Sequence, residues 1–186
     1  MSKTKKKQKL DVILAKLHFQ TLKSSLFSKI GLSACLKFYK IITHSKNFLV
    51  LTEQNRKKEI TGAAVILVNP INTFFKIRLC FFIFLLKPIR LAKFFFSFTR
   101  DYKAPKIPEI LFLFVAPKFQ NRGIGTRLLL ASHHELIKKK YKKSYVWTET
   151  GRKKTALQFY LNNGYQPLKG NEKKYQSVLL QKKLSE

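Results

Sequence analysis

"VAPKFQNRGIGTRLLLA", residues Val115 to Ala131, decides how this chain is read. Pro117 stiffens the exit from a strand, a turn containing Gly123 and Gly125 follows, and an apolar run suited to a helix starts at once. A turn that joins a buried strand directly to a helix leaves the first N–H groups of that helix unpaired and pointing outward. Such groups favour an anion, and phosphate is the natural guest. Gly123 and Gly125 can take positive φ and let a diphosphate approach the backbone, while Gln120, Arg122 and Thr126 can add side-chain donors. The spacing is neither the dinucleotide G-x-G-x-x-G nor the nucleotide G-x-x-x-x-G-K-[ST]. By itself it also fits a tight structural turn.

Working outward, "EILFLFV" (Glu109–Val115) is a continuous apolar strand of buried type, and the helix after the turn runs from about Gly125 to Lys139. "KSYVWTET" (Lys143–Thr150) reads as a further strand. In "KKTALQFYLNN", Ala156, Phe159, Tyr160 and Asn163 share one helical face, and Gly164 is placed to end the helix. A last strand pair is expected around Tyr165–Lys169 and Tyr175–Lys182. Toward the N-terminus, Asp11 is placed to cap a short helix carrying Val12, Ala15 and Phe19, and Leu32–Ile42 has the spacing of a second helix. "FLVLTEQ" (Phe48–Gln54) and "ITGAAVILV" (Ile60–Val68) flank the charged turn "NRKKE" as a hairpin.

The order V-x-P, Q-x-R-G-x-G, strand, then A-x-x-F-Y-x-x-x-G-Y resembles the GNAT superfamily of acyl-CoA-dependent N-acyltransferases. "EILFLFVAPKFQNRGIGTRLL" and "ALQFYLNNGYQPL" carry the likeness closely; the early helices and hairpin of Leu10–Val68 carry it more weakly. The resemblance implies a mixed α/β fold: a mostly antiparallel central sheet that splays apart, flanked by helices, with the pantetheine arm of acetyl-CoA lying in the gap. Carried over by position, the backbone amides of Gln120, Asn121, Arg122, Gly123, Gly125 and Thr126 would hold the CoA diphosphate. The N–H near Leu113 would polarise the thioester carbonyl, and Val115 would contact pantetheine.

Amide formation from a thioester needs a neutral amine, a donor for the developing oxyanion and a proton for the departing thiolate. Glu109 sits where similar enzymes often carry a carboxylate that takes the ammonium proton; the plainer reading is a solvated residue at the strand entry. Tyr160 matches the family position whose phenol protonates the CoA sulfur, with Phe159 beside it free to pack. Relatives commonly have an asparagine where this chain has Lys153, so that cofactor contact is not expected. His133, His134 and Glu135 do not form H-E-x-x-H, and no metal site is expected.

The chain of 186 residues suits one N-acetyltransferase domain over 1–186. Cys35 and Cys80 stand far apart with no ligand cluster, and the lysine-rich start is no signal peptide, which together suggest a cytoplasmic protein. A formal net charge of +29 attracts polyanions, although abundant Lys, Phe, Ile and Asn is also what an AT-rich coding sequence produces. A basic Phe-rich insertion, 70–105, has helical spacing but no uncharged stretch approaching the roughly 20 residues a membrane span needs. It reads as packed helices, a lid over the acceptor site, or a peripheral contact with anionic membrane through 71–98.

These readings converge on an acetyltransferase that moves an acetyl group from acetyl-CoA to a primary amine by direct attack in a ternary complex. The second reading is a catalytically weak CoA-fold protein acting as a basic nucleic-acid or membrane-surface module. Sequence-specific nucleic-acid binding is not expected, for want of a groove-reading helix. The acceptor is left open, a homodimer is compatible with the sequence, and few acids disfavour a polycationic acceptor.

Overall fold

The computed structural model describes residues 3–69, 108–149, 155–168 and 177–185. The Phe-rich insertion and Lys153 lie outside the described residues. The chain divides into two compact units: among the described residues, one holds the N-terminal helices through Phe48 with Asn69 and Ala116–Lys118, and the other holds Leu49–Val68, 108–115 and the residues from Phe119 onward.

In the first unit, α1 (Lys3–Thr21), α2 (Leu26–Ile30) and α3 (Leu32–Ile42) pack together. Asp11 does not cap a helix. It lies inside α1, 5% exposed, and accepts a hydrogen bond from Thr43 Oγ1 at 2.6 Å. The lysine-rich segment before it is itself a fair helix former, so the helix begins earlier and Asp11 serves as a tertiary partner instead. The cap used here is Ser25, whose Oγ accepts from the Ser28 N–H at the start of α2. Buried His18 joins the helices, its Nδ1 3.0 Å from the Tyr39 hydroxyl and its Nε2 2.7 Å from Ser25 Oγ.

In the second unit, six strands lie in the order β1–β2–β3–β4–β6–β5. They are β1 (Phe48–Gln54), β2 (Ile60–Leu67), β3 (Glu109–Val115), β4 (Lys143–Glu149), β5 (Gln166–Pro167) and β6 (Ser177–Lys183). Helix α4 (Ile124–Lys138) packs on β2 and β3, and α5 (Thr155–Asn162) packs on β4. The expected mixed, mostly antiparallel sheet with a splayed centre is therefore present: β3 and β4 are a parallel pair, and β2–β3, β4–β6 and β5–β6 pair antiparallel.

Two departures from regular pairing shape this sheet. The parallel ladder between β3 and β4 joins only Glu109 to Tyr145 and Ile110 to Val146, after which the strands part. On the other side of β3, Val65 faces Phe112 while Ile66 faces Ile110, so Leu111 is an extra residue, a bulge. One side of the sheet carries Ala64, Ile66, Ile110, Leu113, Val146 and Leu180, joined in one core with Leu128, Leu129 and Leu136 of α4. At Gly62 the backbone comes so close that an added Cβ would stand 2.8 Å from the Phe114 carbonyl oxygen and 3.0 Å from Leu128 Cδ1.

A buried polar group ties α4 to the sheet: His133 Nε2 lies 2.9 Å from the Tyr165 hydroxyl, which is 2.8 Å from Ser144 Oγ. Burial lowers both His18 and His133 to about 4 from an ordinary 6.5, with Lys182 adding to the effect at His133. Each therefore stabilises the fold in its neutral form: the contribution is whole above about 6.5 and is lost as pH falls toward about 4, where the unfolded chain has already taken up protons. Thermal midpoints should fall over that window, and His133→Gln should remove about half of the histidine-linked loss. Midpoints measured across pH that show no acid-side fall, or an unchanged fall in the variant, would contradict this assignment.

Candidate active site

The turn after β3 departs from regular structure at two left-handed residues. Pro117–Phe119 form one 3-10 turn, Asn121 takes φ 58° and Gly123 takes φ 71° before α4 begins. The left-handed position expected at Gly125 belongs to Asn121 instead, one of the few non-glycine residues that tolerates it through a short polar side chain. Gly125 is already inside the helix, where a Cβ would meet the Phe159 ring at 3.5 Å and Leu113 at 3.7 Å. The helix start thus faces the Phe159 ring of α5 and Leu113 of β3, with room for a methyl group at Gly125.

Gly123 is the N-cap and offers no side-chain bond, and the first helical turn holds no acid. The first backbone bond into the helix runs from the Arg127 N–H to the Gly123 carbonyl, so the N–H groups of Ile124, Gly125 and Thr126 precede the helical ladder. A Cβ at Gly123 would meet only Arg127 Nη1, at 3.5 Å. No other side chain crowds that position, and uncapped amides at the positive end of a helix dipole are of the kind that bind a diphosphate. Arg122 is exposed and Thr126 half-buried, both open to such a guest. Gln120 behaves differently from expectation: its side-chain amide donates to the Val115 carbonyl at 3.0 Å and closes the turn on itself.

Arg127 was not singled out by the sequence, yet it braces this turn. Its Nε donates to Glu53 Oε1 at 2.8 Å and its Nη1 donates to the Arg122 carbonyl at 3.2 Å. No sequence signal pairs residues 74 positions apart.

Beside the turn is the place where β3 and β4 separate. Leu113 and Val115 lie beyond the last rung, half-buried, on the α4 side. Glu109 sits at the first rung, on the opposite side with Leu67 and Tyr145. Counting by twos from Val115 would have put Glu109 on the α4 side; the bulge at Leu111 reverses it. Glu109 is 4% exposed, so the solvated strand-entry reading fails, and burial pushes its carboxyl up to about 7 from an ordinary 4.5. A carboxyl held near neutrality can both take and hold a proton at working pH. Two residues along from Tyr145 on the same side, Trp147 is 41% exposed, a large apolar surface next to the opening.

Tyr160 lies on α5 within the core, 7% exposed, its ring edge-on to Phe159 at 5.2 Å and to Tyr165 at 5.4 Å. The division of work expected for the pair is altered: Phe159 is the half-buried member that abuts Gly125, and Tyr160 is the buried one. Burial, and then the neighbouring Tyr165, hold the Tyr160 phenol well above its ordinary range, hence protonated. Burial also pushes the Cys35 thiol up, which leaves it a poor nucleophile. Among the described residues no three His, Cys, Asp or Glu side chains converge as a metal site, and no helix is long and apolar enough to cross a membrane.

Residues 78–167 match the family model described as the acetyltransferase (GNAT) domain. Among solved structures, the chain is similar to a GNAT-family protein from Desulfovibrio desulfuricans at 11% identity and TM-score 0.63, covering 94% of this chain and 92% of that one. It is similar to PaiA N-acetyltransferase from Thermoplasma acidophilum, solved in complex with coenzyme A, at 15% identity and TM-score 0.59, covering 94% and 93%. An aminoglycoside 6'-N-acetyltransferase complexed with coenzyme A is similar at 12% identity and TM-score 0.59, covering 95% and 92%. At these identities the likeness is one of fold. No curated protein matches the sequence.

Proposed function

We propose, from the match of residues 78–167 to the acetyltransferase (GNAT) domain model and the likeness of fold, that the chain transfers an acetyl group from acetyl-CoA to a primary amine by direct attack in a ternary complex. The observation that carries the reading is the uncapped start of α4 behind left-handed Gly123, set beside the parting of β3 and β4. In this reading the amides of the 120–126 turn, with Arg122 and Thr126, bind the diphosphate, and Val115 lines the path of the pantetheine arm. The Leu113 N–H meets the thioester carbonyl oxygen as negative charge develops there.

Glu109 takes the proton from the ammonium form of the acceptor, which frees the nitrogen lone pair to form the C–N bond. As the C–S bond breaks, Tyr160 gives its proton to the departing sulfur. No acyl group rests on the protein, in keeping with the buried, high-pKa thiol of Cys35. The excess of lysine and arginine favours neutral or anionic amines over polycationic ones.

A thiol-release assay with acetyl-CoA and a panel of amines tests this. The expected result is saturable release with at least one neutral or anionic amine, and heat on titration with coenzyme A. Titration without heat would remove the basis of the proposal. Arg127→Ala should weaken coenzyme A about two- to fivefold, the scale of an exposed ion pair, while turnover at saturation stays put. An unchanged dissociation constant would show that the turn does not need its brace.

A further inference from the structure

At the far end of α4, about 22 Å from the turn by helix length, an open cleft of ≈ 590 Å³ is lined by Ile137, Lys140, Tyr141, Lys142, Lys143, Lys183 and Leu184. Its floor is apolar, since Tyr141 and Leu184 pack partly against the core and the Tyr141 hydroxyl donates to the Val68 carbonyl. Among the described residues its walls carry four exposed lysines and no acid. Nearby Glu135 is engaged by Lys138 at 2.9 Å, so it neutralises none of the four.

Two local rules are broken to build this cleft. Lys140 has φ 63° at the close of α4, where the N–H of Tyr141 returns to the Leu136 carbonyl at 3.0 Å. That left-handed position is normally filled by glycine, because a side chain there is strained. Lys143 and Lys183 stand directly opposite each other on β4 and β6, a like-charged cross-strand pair that repels. The turn at Lys140 closes the helix, which glycine would do without strain, and the Lys143–Lys183 pair is repulsive. The lysine side chains at these places are therefore not accounted for by the fold's own contacts and favour an outside ligand.

We propose that this cleft binds the phosphodiester backbone of a single-stranded nucleic acid without regard to sequence. Successive phosphates neutralise ammonium groups that otherwise repel one another, and an unstacked base can lie on the apolar floor of Ile137, Tyr141 and Leu184. A double helix is too broad to enter a concavity of this size. The cleft has no arginine fork and no helix N-terminus to grip a terminal phosphate, so a strand passing through suits it better than a compact phosphate ester. This site is separate from the acyl-transfer site, and its test does not depend on turnover.

The experiment is fluorescence anisotropy with labelled oligo(dT) of roughly 20 nucleotides on the full chain, from about 50 to about 200 mM salt. A variant with Lys140, Lys142, Lys143 and Lys183 all changed to Gln should bind about a hundredfold more weakly at the low end. Its logarithmic salt slope should fall by about 3, four contacts at roughly 0.7 each. Coenzyme A affinity should not move. A control variant with exposed Lys23, Lys29, Lys57 and Lys58 changed to Gln should lose only a few-fold. Equal losses in both variants would reduce the effect to net charge and overturn the proposal. So would equal dependence on the cleft lysines for a duplex of the same length, or a larger loss on phosphatidylserine vesicles than on oligo(dT). Should the quadruple variant misfold, Lys140→Gly relieves the strained residue: it should melt no lower than the parent and still bind with a slope smaller by about 0.7. An unchanged slope there sinks the assignment.

Discussion

Glu109→Gln should lower amine acetylation by about a hundredfold, the scale of lost general-base catalysis, and at the same time raise the thermal midpoint at alkaline pH. Both effects follow from one buried carboxyl held at about 7 against an ordinary 4.5. Its folded pKa is raised, so the protonated form is the one the fold prefers. The contribution to stability is favourable below about 4.5, is lost as pH climbs to about 7, and remains a constant penalty above that, on the order of 3 kcal/mol. Glutamine is neutral at every pH and escapes the penalty. Activity should show the opposite trend: in the parent it rises as Glu109 ionises through about 7, and in the variant that limb disappears. A variant that kept the limb and the turnover would remove Glu109 from the mechanism, and one that melted lower at about pH 8 would show that its surroundings stabilise the charge.

Tyr160→Phe should reduce turnover by about a hundredfold with coenzyme A affinity intact, the loss coming from the missing proton donor. Phenylalanine preserves the ring contacts with Phe159 and Tyr165, so the melting point should change little. A purely structural role would predict the reverse, a fold weakened with chemistry preserved. The sharper test uses an acetyl thioester whose thiol is more acidic and leaves without help. On that substrate the defect should shrink severalfold, because the proton is no longer needed in the transition state. An equal defect on both thioesters would mean that Tyr160 does not protonate sulfur.

The stretch from Glu109 to Gly164 was legible in order and type because its signals are local: an apolar run, a glycine turn, a helical stripe, a terminating glycine. Gly164 indeed takes φ 81° where α5 ends. The β1–β2 hairpin was equally clear from two β-branched runs around a charged turn. What the sequence hid was decided by distant partners. Asp11 looks like a cap until Thr43 arrives from 32 residues away. Gly125 looks like a turn glycine, yet the turn's second left-handed residue is Asn121, because the helix starts one residue earlier than its apolar pattern suggests. Phe159 and Tyr160 are adjacent aromatics with no local cue to rank them; only the position of Gly125 brings Phe159 to the turn and leaves Tyr160 against Tyr165.

Leu111, the surplus residue opposite the Val65–Ile66 step, has a consequence for how such a chain tolerates change in length. Removing it would erase the bulge yet leave Glu109 on its present side, because Ile110 would then follow Phe112 in the register already used. One residue inserted between Val65 and Ile66 would instead give Leu111 a partner, restore strict alternation and turn Glu109 toward the α4 side. A one-residue insertion in β2 at that spot therefore acts as a toggle on which chemistry the sheet presents, whereas loss of Leu111 is silent on the side that Glu109 faces.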